Sequence, residues 1–92
     1  MRHFLVHDPQ DNVGVAVVDI EAAREATGAL LDGGGTRTIK ARQPIPLGHK
    51  IALRDFKTGE TVIKYGEDIG RVVADIRAGD HVHVHNLKTK RW

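Results

Sequence analysis

His81, His83 and His85 alternate with Val82 and Val84, and Asn86 closes the run. In an extended strand, successive side chains point to opposite faces. The alternation predicts a strand near 81–86 with three imidazoles on one face and both valines on the other. Neighbouring histidines on that face would stand about 6.7 Å apart at Cα. Three uses fit such a row. Histidines two apart on a strand can converge on one cation, at about 2.0–2.1 Å for zinc, and iron or nickel also accept imidazole. An imidazole titrating near neutrality can move a proton or hold a carboxylate or sulfonate. The third use is only a solvated strand face.

Other polar groups qualify by type. Gly48-His49-Lys50 follows Pro46-Leu47 and opens a strand. A turn glycine beside a histidine and a lysine could cradle an anion, or could be an ordinary turn with two polar residues. Lys64-Tyr65-Gly66 ends the next strand, and Tyr65 is the one tyrosine. It is a candidate general acid or substrate hydrogen-bond donor, or else an amphipathic cap on a small core. His7, Asp11 and Asn12 form a polar group at the first turn, where Asp and Asn are also good turn formers. His3 draws no role. The chain has no serine, which excludes a Ser-His-Asp arrangement, and Gly33–Gly35 lacks the lysine and helix context of a phosphate loop.

The elements that must position these groups are short. Phe4–His7 reads as a brief strand closed by Asp8-Pro9 and Asp11-Asn12, and the β-branched run Val13–Ile20 as another. Glu21–Thr27 is ambiguous: its Ala and Glu content favours helix, but it is short and uncapped. Asp32-Gly33-Gly34-Gly35 is a loop tip joining Ala29–Leu31 to an edge strand at Arg37–Arg42, ended by Pro44 and Pro46. An internal repeat comes next. Asp55-Phe56-Lys57-Thr58-Gly59-Glu60-Thr61-Val62 matches Asp75-Ile76-Arg77-Ala78-Gly79-Asp80-His81-Val82, and a degraded copy starts at Asp19-Ile20 with Ala23 in the glycine position. The pattern predicts strand, tight turn, strand, with the Asp on turn amides and the following apolar residue plugging the core. Strands are expected near 49–54, 60–65, 69–74 and 81–86. The outcome is one all-β domain over residues 1–92 with at most a short helix.

Composition bounds the rest. At 92 residues, the chain buries only roughly 60 % of its unfolded surface. With one Trp, one Tyr and two Phe, aliphatic residues must build a thin core that a partner would support. The absence of cysteine excludes disulfides and thiolate metal sites and suits a reducing compartment. No apolar run is long enough for a signal peptide or a membrane span, so a cytoplasmic domain is expected. The net charge of +2 sits mainly in the tail Lys88-Thr89-Lys90-Arg91. That tail and four aromatics are too little for nucleic-acid binding. The tail and Trp92 are candidates for packing on a partner, against the ordinary alternative of a frayed terminus.

Over most of residues 44–86, and more loosely over 1–43, the chain resembles the altronate/galactarate dehydratase family, specifically its small N-terminal module. The strings that carry the resemblance are Asp11-Asn12-Val13, Ile45-Pro46-Leu47-Gly48-His49-Lys50-Ile51-Ala52-Leu53, Val62-Ile63-Lys64-Tyr65-Gly66, Ile69-Gly70, Ala74-Asp75-Ile76 and His81-Val82-His83-Val84-His85-Asn86. The resemblance implies an SAF-type β-clip fold. Long members fuse this module to a larger catalytic portion, whereas here the sequence ends at Trp92, as in the small-subunit forms. The opening Phe4-Leu5-Val6-His7 with Asp11-Asn12-Val13-Gly14-Val15-Ala16-Val17-Val18, and the ending His85-Asn86-Leu87-Lys88-Thr89-Lys90-Arg91-Trp92, look most like the branch that eliminates sulfite from 3-sulfolactate to give pyruvate. The alternatives are a sugar-acid dehydratase subunit and a non-catalytic carbohydrate-binding or assembly module. The resemblance thus implies a lyase subunit sharing a site with a large catalytic subunit. A small anionic hydroxy acid would be its substrate, and self-association is left open for the isolated chain. A divalent metal, Fe2+ by the resemblance, would be shared with or held by the large subunit. Within the matched strings, the expected roles are His83 and His85 for metal, His81, Asn12 and Asn86 for substrate, and His49, Lys50, Lys64 and Tyr65 for catalysis.

Overall fold

Four copies of one short unit set the architecture. A computed structural model describes residues 2–31 and 33–89. Asp32 of the glycine loop and Lys90, Arg91 and Trp92 of the basic tail lie outside the described residues. In each unit a strand ends in a bend, a single buried residue makes a β-bridge, a tight turn follows, and the next strand begins. The bridge residues pair two by two, Ile20 with Ile45 and Phe56 with Ile76. Each pair exchanges both backbone hydrogen bonds, at 2.8–2.9 Å, and all four side chains are buried. Four reverse turns come after the bridges, closed by Arg24 N–H to Glu21 O, His49 to Pro46, Glu60 to Lys57 and Asp80 to Arg77. The third residue of each has positive φ: Ala23 at 67°, Gly48 at 85°, Gly59 at 97° and Gly79 at 90°. Positive φ at that position alone is the pattern of a type II turn.

The repeat aspartates work across the pairs. Asp55 Oδ1 accepts Ala78 N–H at 2.8 Å, Asp75 Oδ1 accepts Thr58 N–H at 2.9 Å, and Asp19 Oδ1 accepts Leu47 N–H at 2.8 Å. Each carboxylate therefore caps its partner's turn, and this joins segments about 20 residues apart. The fourth unit, at Pro44-Ile45-Pro46-Leu47-Gly48, is an addition to the three copies read in the sequence. Pro44 stands in the aspartate position, which is why the residue pattern hides it.

The strands are β1 Phe4–Val6, β2 Val13–Ala16, β3 Glu25–Leu30, β4 Thr36–Lys40, β5 Lys50–Ala52, β6 Thr61–Lys64, β7 Glu67–Val72, β8 His81–Val82 and β9 Leu87–Lys88. Six form one sheet in the order β4-β3-β1-β2-β5-β8, and three form a second in the order β6-β7-β9. Among the described residues only the β1–β3 pairing is parallel. There is no helix among the described residues, so the all-β expectation holds. The helical option for Glu21–Thr27 is corrected: Ala23 occupies a left-handed turn and β3 starts at Glu25. The strand expected over Val13–Ile20 stops at Ala16, because Val17 and Val18 form the bend of the first unit.

Two cores result. Phe4, Ile20, Ile45 and Ile51 anchor one; Val13, Phe56, Val62, Ile76 and Val82 anchor the other. β5 lies between them, with Ile51 in the first core and Ala52 in the second, as strand alternation requires. Gly14 and Gly28 leave room for the Phe4 ring, since a Cβ on Gly28 would stand 1.9 Å from it.

Candidate functional site

The turn after Gly48 delivers His49 to the start of β5, and the turn after Gly79 delivers His81 to β8. These strands pair antiparallel, Ile51 opposite His81 and Lys50 opposite Val82. Cross-strand partners share a face, so His81 sits on the Ile51 side. One more step of the register brings His49 against His83. Their rings stack, with centroids 4.0 Å apart and planes 21° apart. His49 Nδ1 and His81 Nε2 lie 2.8 Å apart, so one of these nitrogens donates and the other accepts.

The histidine row needs correction. The strand ends at Val82, because His83 O accepts the N–H groups of both Asn86 and Leu87 in a turn. His85 therefore leaves the shared strand face, and its ring centroid lies 5.2 Å from that of His81. Val84 is 66 % exposed, so of the two valines only Val82 is in the core. In place of His85, the fold brings in His49. One nitrogen from each of His49, His81 and His83 lies within 4.8 Å of the others. Nitrogens bound at about 2.1 Å to one tetrahedral ion sit about 3.4 Å apart, and these nitrogens already lie within 4.8 Å of one another. His83 Nδ1 is buried without a hydrogen-bond partner, as a waiting ligand atom would be. The three residues therefore fit a divalent cation, with imidazole as the whole donor set and coordination positions left over.

Electrostatics favour the neutral form of His81 and His83. Burial first, then the neighbouring His49, His85, His83 and Lys50, push His81 down to about 4. His83 is lowered by burial and by His49. Neutral imidazole is the form that binds metal, whereas holding an anion by charge would require protonation. No carboxylate among the described residues forms an ion pair with these rings.

Asn12 and Asn86, expected to meet substrate, are occupied in the fold. Asn86 is only 7 % exposed. Its Oδ1 accepts His83 N–H at 3.0 Å and its Nδ2 donates to His81 O at 2.9 Å, so it fixes the backbone that presents both histidines. Asn12 Oδ1 accepts Ile63 N–H at 2.7 Å and its Nδ2 donates to Thr61 O at 3.2 Å, which ties the first turn to β6. Gln43, which sequence reading passed over, accepts His81 N–H at 2.8 Å. Nothing in its local pattern marks it. His3 is buried; its backbone and ring bond Thr27 of β3.

Lys50, Lys64 and Tyr65 form a second group. Strand alternation turns Lys50 to the Val82 face, away from His49, which splits the expected His49–Lys50 cradle. Burial and the charge of Lys64 both lower the Lys50 pKa. Lys64 Nζ lies 5.0 Å from the Tyr65 ring centroid, and Tyr65 packs on His7 at 4.1 Å. Tyr65 is 55 % exposed, too open for a core cap. It has φ 55°, and Gly66 has φ 72°. A bulky residue with positive φ is strained, and Asp11 Oδ1 accepting Gly66 N–H at 2.8 Å holds it there. Strain of this kind gathers at functional positions.

A family model described as altronate/galactarate dehydratase SAF domain matches residues 2–90. The chain belongs to this family. It is 56 % identical to a protein of Chromohalobacter salexigens named (2R)-sulfolactate sulfo-lyase subunit alpha, over 97 % of this chain and 96 % of that one. A protein of the same name from Paracoccus pantotrophus is 59 % identical over 59 % of this chain and 81 % of its own length. Altronate dehydratase of Escherichia coli is 44 % identical over 97 % of this chain, which spans only 17 % of that enzyme. The all-β SAF architecture expected of the family is the one observed. No helix among the described residues is long and apolar enough to cross a membrane.

Proposed function

We propose that this chain is the small subunit of a two-subunit lyase that eliminates sulfite from (2R)-3-sulfolactate to give pyruvate. The observation that carries the reading is the convergence of His49, His81 and His83, in a chain that matches sulfolactate sulfo-lyase alpha subunits across almost its whole length. Identity favours this substrate over the sugar acids, at 56 % to the sulfo-lyase subunit against 44 % to altronate dehydratase, each over 97 % of this chain.

In the proposed reaction a base takes the proton on C2, the C3–S bond breaks with its electron pair leaving on sulfite, and the resulting enol becomes pyruvate. His49, His81 and His83 would hold a divalent cation, with Fe2+ the expected ion. Such a cation supplies stabilisation of the charge that builds on the carboxylate as the proton leaves. Lys50 and Lys64 would hold the sulfonate or carboxylate, and Tyr65 would donate a hydrogen bond to the departing group. A large subunit would contribute the rest of the site and the proton acceptor.

The test is to coexpress the chain with the large subunit and measure sulfite release and bound metal. His49→Ala and His83→Ala should each drop sulfite release by about 100-fold or more, with bound metal lost. Unchanged turnover and metal content in both variants would overturn the reading. Full activity of the large subunit alone would favour the non-catalytic assembly module instead.

A further inference from the structure

Two of the sheet edges are closed by side-chain amides. At β8, Gln43 Oε1 takes His81 N–H, Asn86 Nδ2 donates to His81 O, and Asn86 Oδ1 takes His83 N–H. At β6, Asn12 makes the equivalent bonds to Thr61 O and Ile63 N–H. A third edge strand, β9, is two residues long. Proteins blunt free edges in such ways because an open edge templates further pairing.

β4 is treated differently. Five residues long and almost wholly exposed, it forms the outer edge of the six-stranded sheet. Its register is fixed on either side by Leu30 N–H to Gly35 O and Ala41 N–H to Arg24 O. Antiparallel alternation then turns the backbone groups of Arg37 and Ile39 to β3, and those of Thr36, Thr38 and Lys40 outward. The partner side agrees: Thr27, opposite Thr38, has its N–H and C=O bonded to His3, on the far side from β4. The Lys40 carbonyl is covered by Gly79, where a Cβ would stand 2.0 Å away. That leaves the backbone groups of Thr36 and Thr38 open among the described residues. Beside them runs a groove of about 650 Å³, lined by Ile39, Leu53 and Ala78 and by Arg37, Lys40 and Arg42. Arg42 is paired with Asp80. Arg37 and Lys40 have no carboxylate partner among the described residues.

We infer that β4 is the docking edge for an extended, carboxylate-bearing segment of the large subunit, which adds to the sheet as a strand and fills this groove. Main-chain bonds to Thr36 and Thr38 give the affinity, and acidic side chains opposite Arg37 and Lys40 give the register. A second copy of this chain is a poor occupant, because it brings to the same edge the same two cations, Lys40 and an Arg37 that donates to the Leu53 carbonyl, neither paired with a carboxylate among the described residues. The inference rests on the proposed small-subunit role.

Thr38→Pro removes one outward N–H while leaving the β3–β4 ladder intact, and an edge strand tolerates proline there. Affinity for the coexpressed large subunit is measured by calorimetry, with circular dichroism to verify folding, and Thr38 amide exchange is followed free and in the complex. Thr38→Pro and Lys40→Glu should each weaken binding by about 10-fold or more, and Thr38→Ala should stay within about two-fold. The Thr38 amide should become protected only in the complex. If Thr38→Pro does not fold, Lys40→Glu and amide exchange decide. A complex in which that amide still exchanges freely, or that is indifferent to Lys40→Glu, overturns the docking edge. Dissociation of a self-dimer by Thr38→Pro with unchanged affinity for the large subunit overturns the assigned occupant. A wild-type chain that forms no complex overturns the small-subunit role itself.

Discussion

Asn86→Ala separates a positioning residue from a substrate contact. The side chain is buried and makes two hydrogen bonds, at 3.0 Å to His83 N–H and 2.9 Å to His81 O. Its removal strands one backbone donor and one backbone acceptor, at about 1–3 kcal/mol for each buried group left unpaired. Allowing one site to recover a water, the loss is about 2–4 kcal/mol. A small domain has about 5–15 kcal/mol in all, so the midpoint should fall by roughly 10–20 °C.

Asn86→Asp sharpens the test. It keeps the acceptor for His83 N–H but sets a carboxylate oxygen against the His81 carbonyl, so it should destabilise at least as much as alanine. Both variants should loosen the backbone under His81 and His83 and weaken divalent-metal binding in parallel. The assays are guanidinium unfolding followed by far-ultraviolet circular dichroism, and calorimetric titration with iron(II) under anaerobic conditions. An Asn86→Asp chain with the wild-type midpoint and metal affinity, but impaired substrate binding in the complex, would refute the reasoning and return Asn86 to the substrate.

Ala23→Gly should raise the melting temperature by roughly 4–8 °C, because Ala23 carries a Cβ at φ 67° in a turn whose three counterparts are glycine; differential scanning calorimetry checks it. Phe56→Ala should cost about 3–5 kcal/mol and leave the chain largely unfolded at 37 °C, since Phe56 is 2 % exposed and bridges the second pair of units; urea unfolding reads this directly. Asp75 titrates below the ordinary aspartate value because Thr58 N–H and then its hydroxyl bond the carboxylate. A carboxylate lowered by folding stabilises above its unfolded pKa of 3.8, and that contribution is lost as pH falls through the lower folded value. Acid unfolding of Asp75→Asn should therefore show a shallower pH dependence below about pH 4 than the parent.

The units at 55–62 and 75–82 were legible because their residues repeat in kind and spacing. Their connection was not. Asp55 and Asp75 announce a capped turn, but a capping carboxylate has the same local signature whether it serves its own turn or one 20 residues away. The unit at Pro44 was hidden because proline holds the bend where the others use aspartate. The histidine alternation puts His81, His83 and His85 on one strand face, whereas the strand itself ends at Val82, for one reason. Alternation persists in sequence after the strand has stopped, and the stop is made by the Asn86 side chain, which has no periodic signature. His49 joined the cluster through a pairing between β5 and β8, a contact 32 residues apart that no local pattern contains. Tyr65 was noticed for its chemistry, while its positive φ is a conformational fact that its residue type argues against.

Charge balance gives the proposed substrate a physical basis. His81 and His83 are both pushed toward the neutral form, and Lys50 is lowered by burial and then by Lys64, with no carboxylate paired to either amine among the described residues. An excess of positive charge that the fold leaves unpaired is stabilised by an anion, and more by a dianion than by a monoanion. On the proposed reading 3-sulfolactate brings two charges, one at each end of a three-carbon frame, whereas altronate brings one. On that reading the two lysines would favour the doubly charged acid in binding before any difference in leaving group acts. Lys50→Gln in the two-subunit enzyme should raise KM for sulfolactate by about 10-fold, the scale of one partly screened charge contact, with a smaller effect on kcat. If Lys50→Gln instead lowered kcat and left KM unchanged, Lys50 would belong to the proton transfer, and the dianion argument would lose its footing.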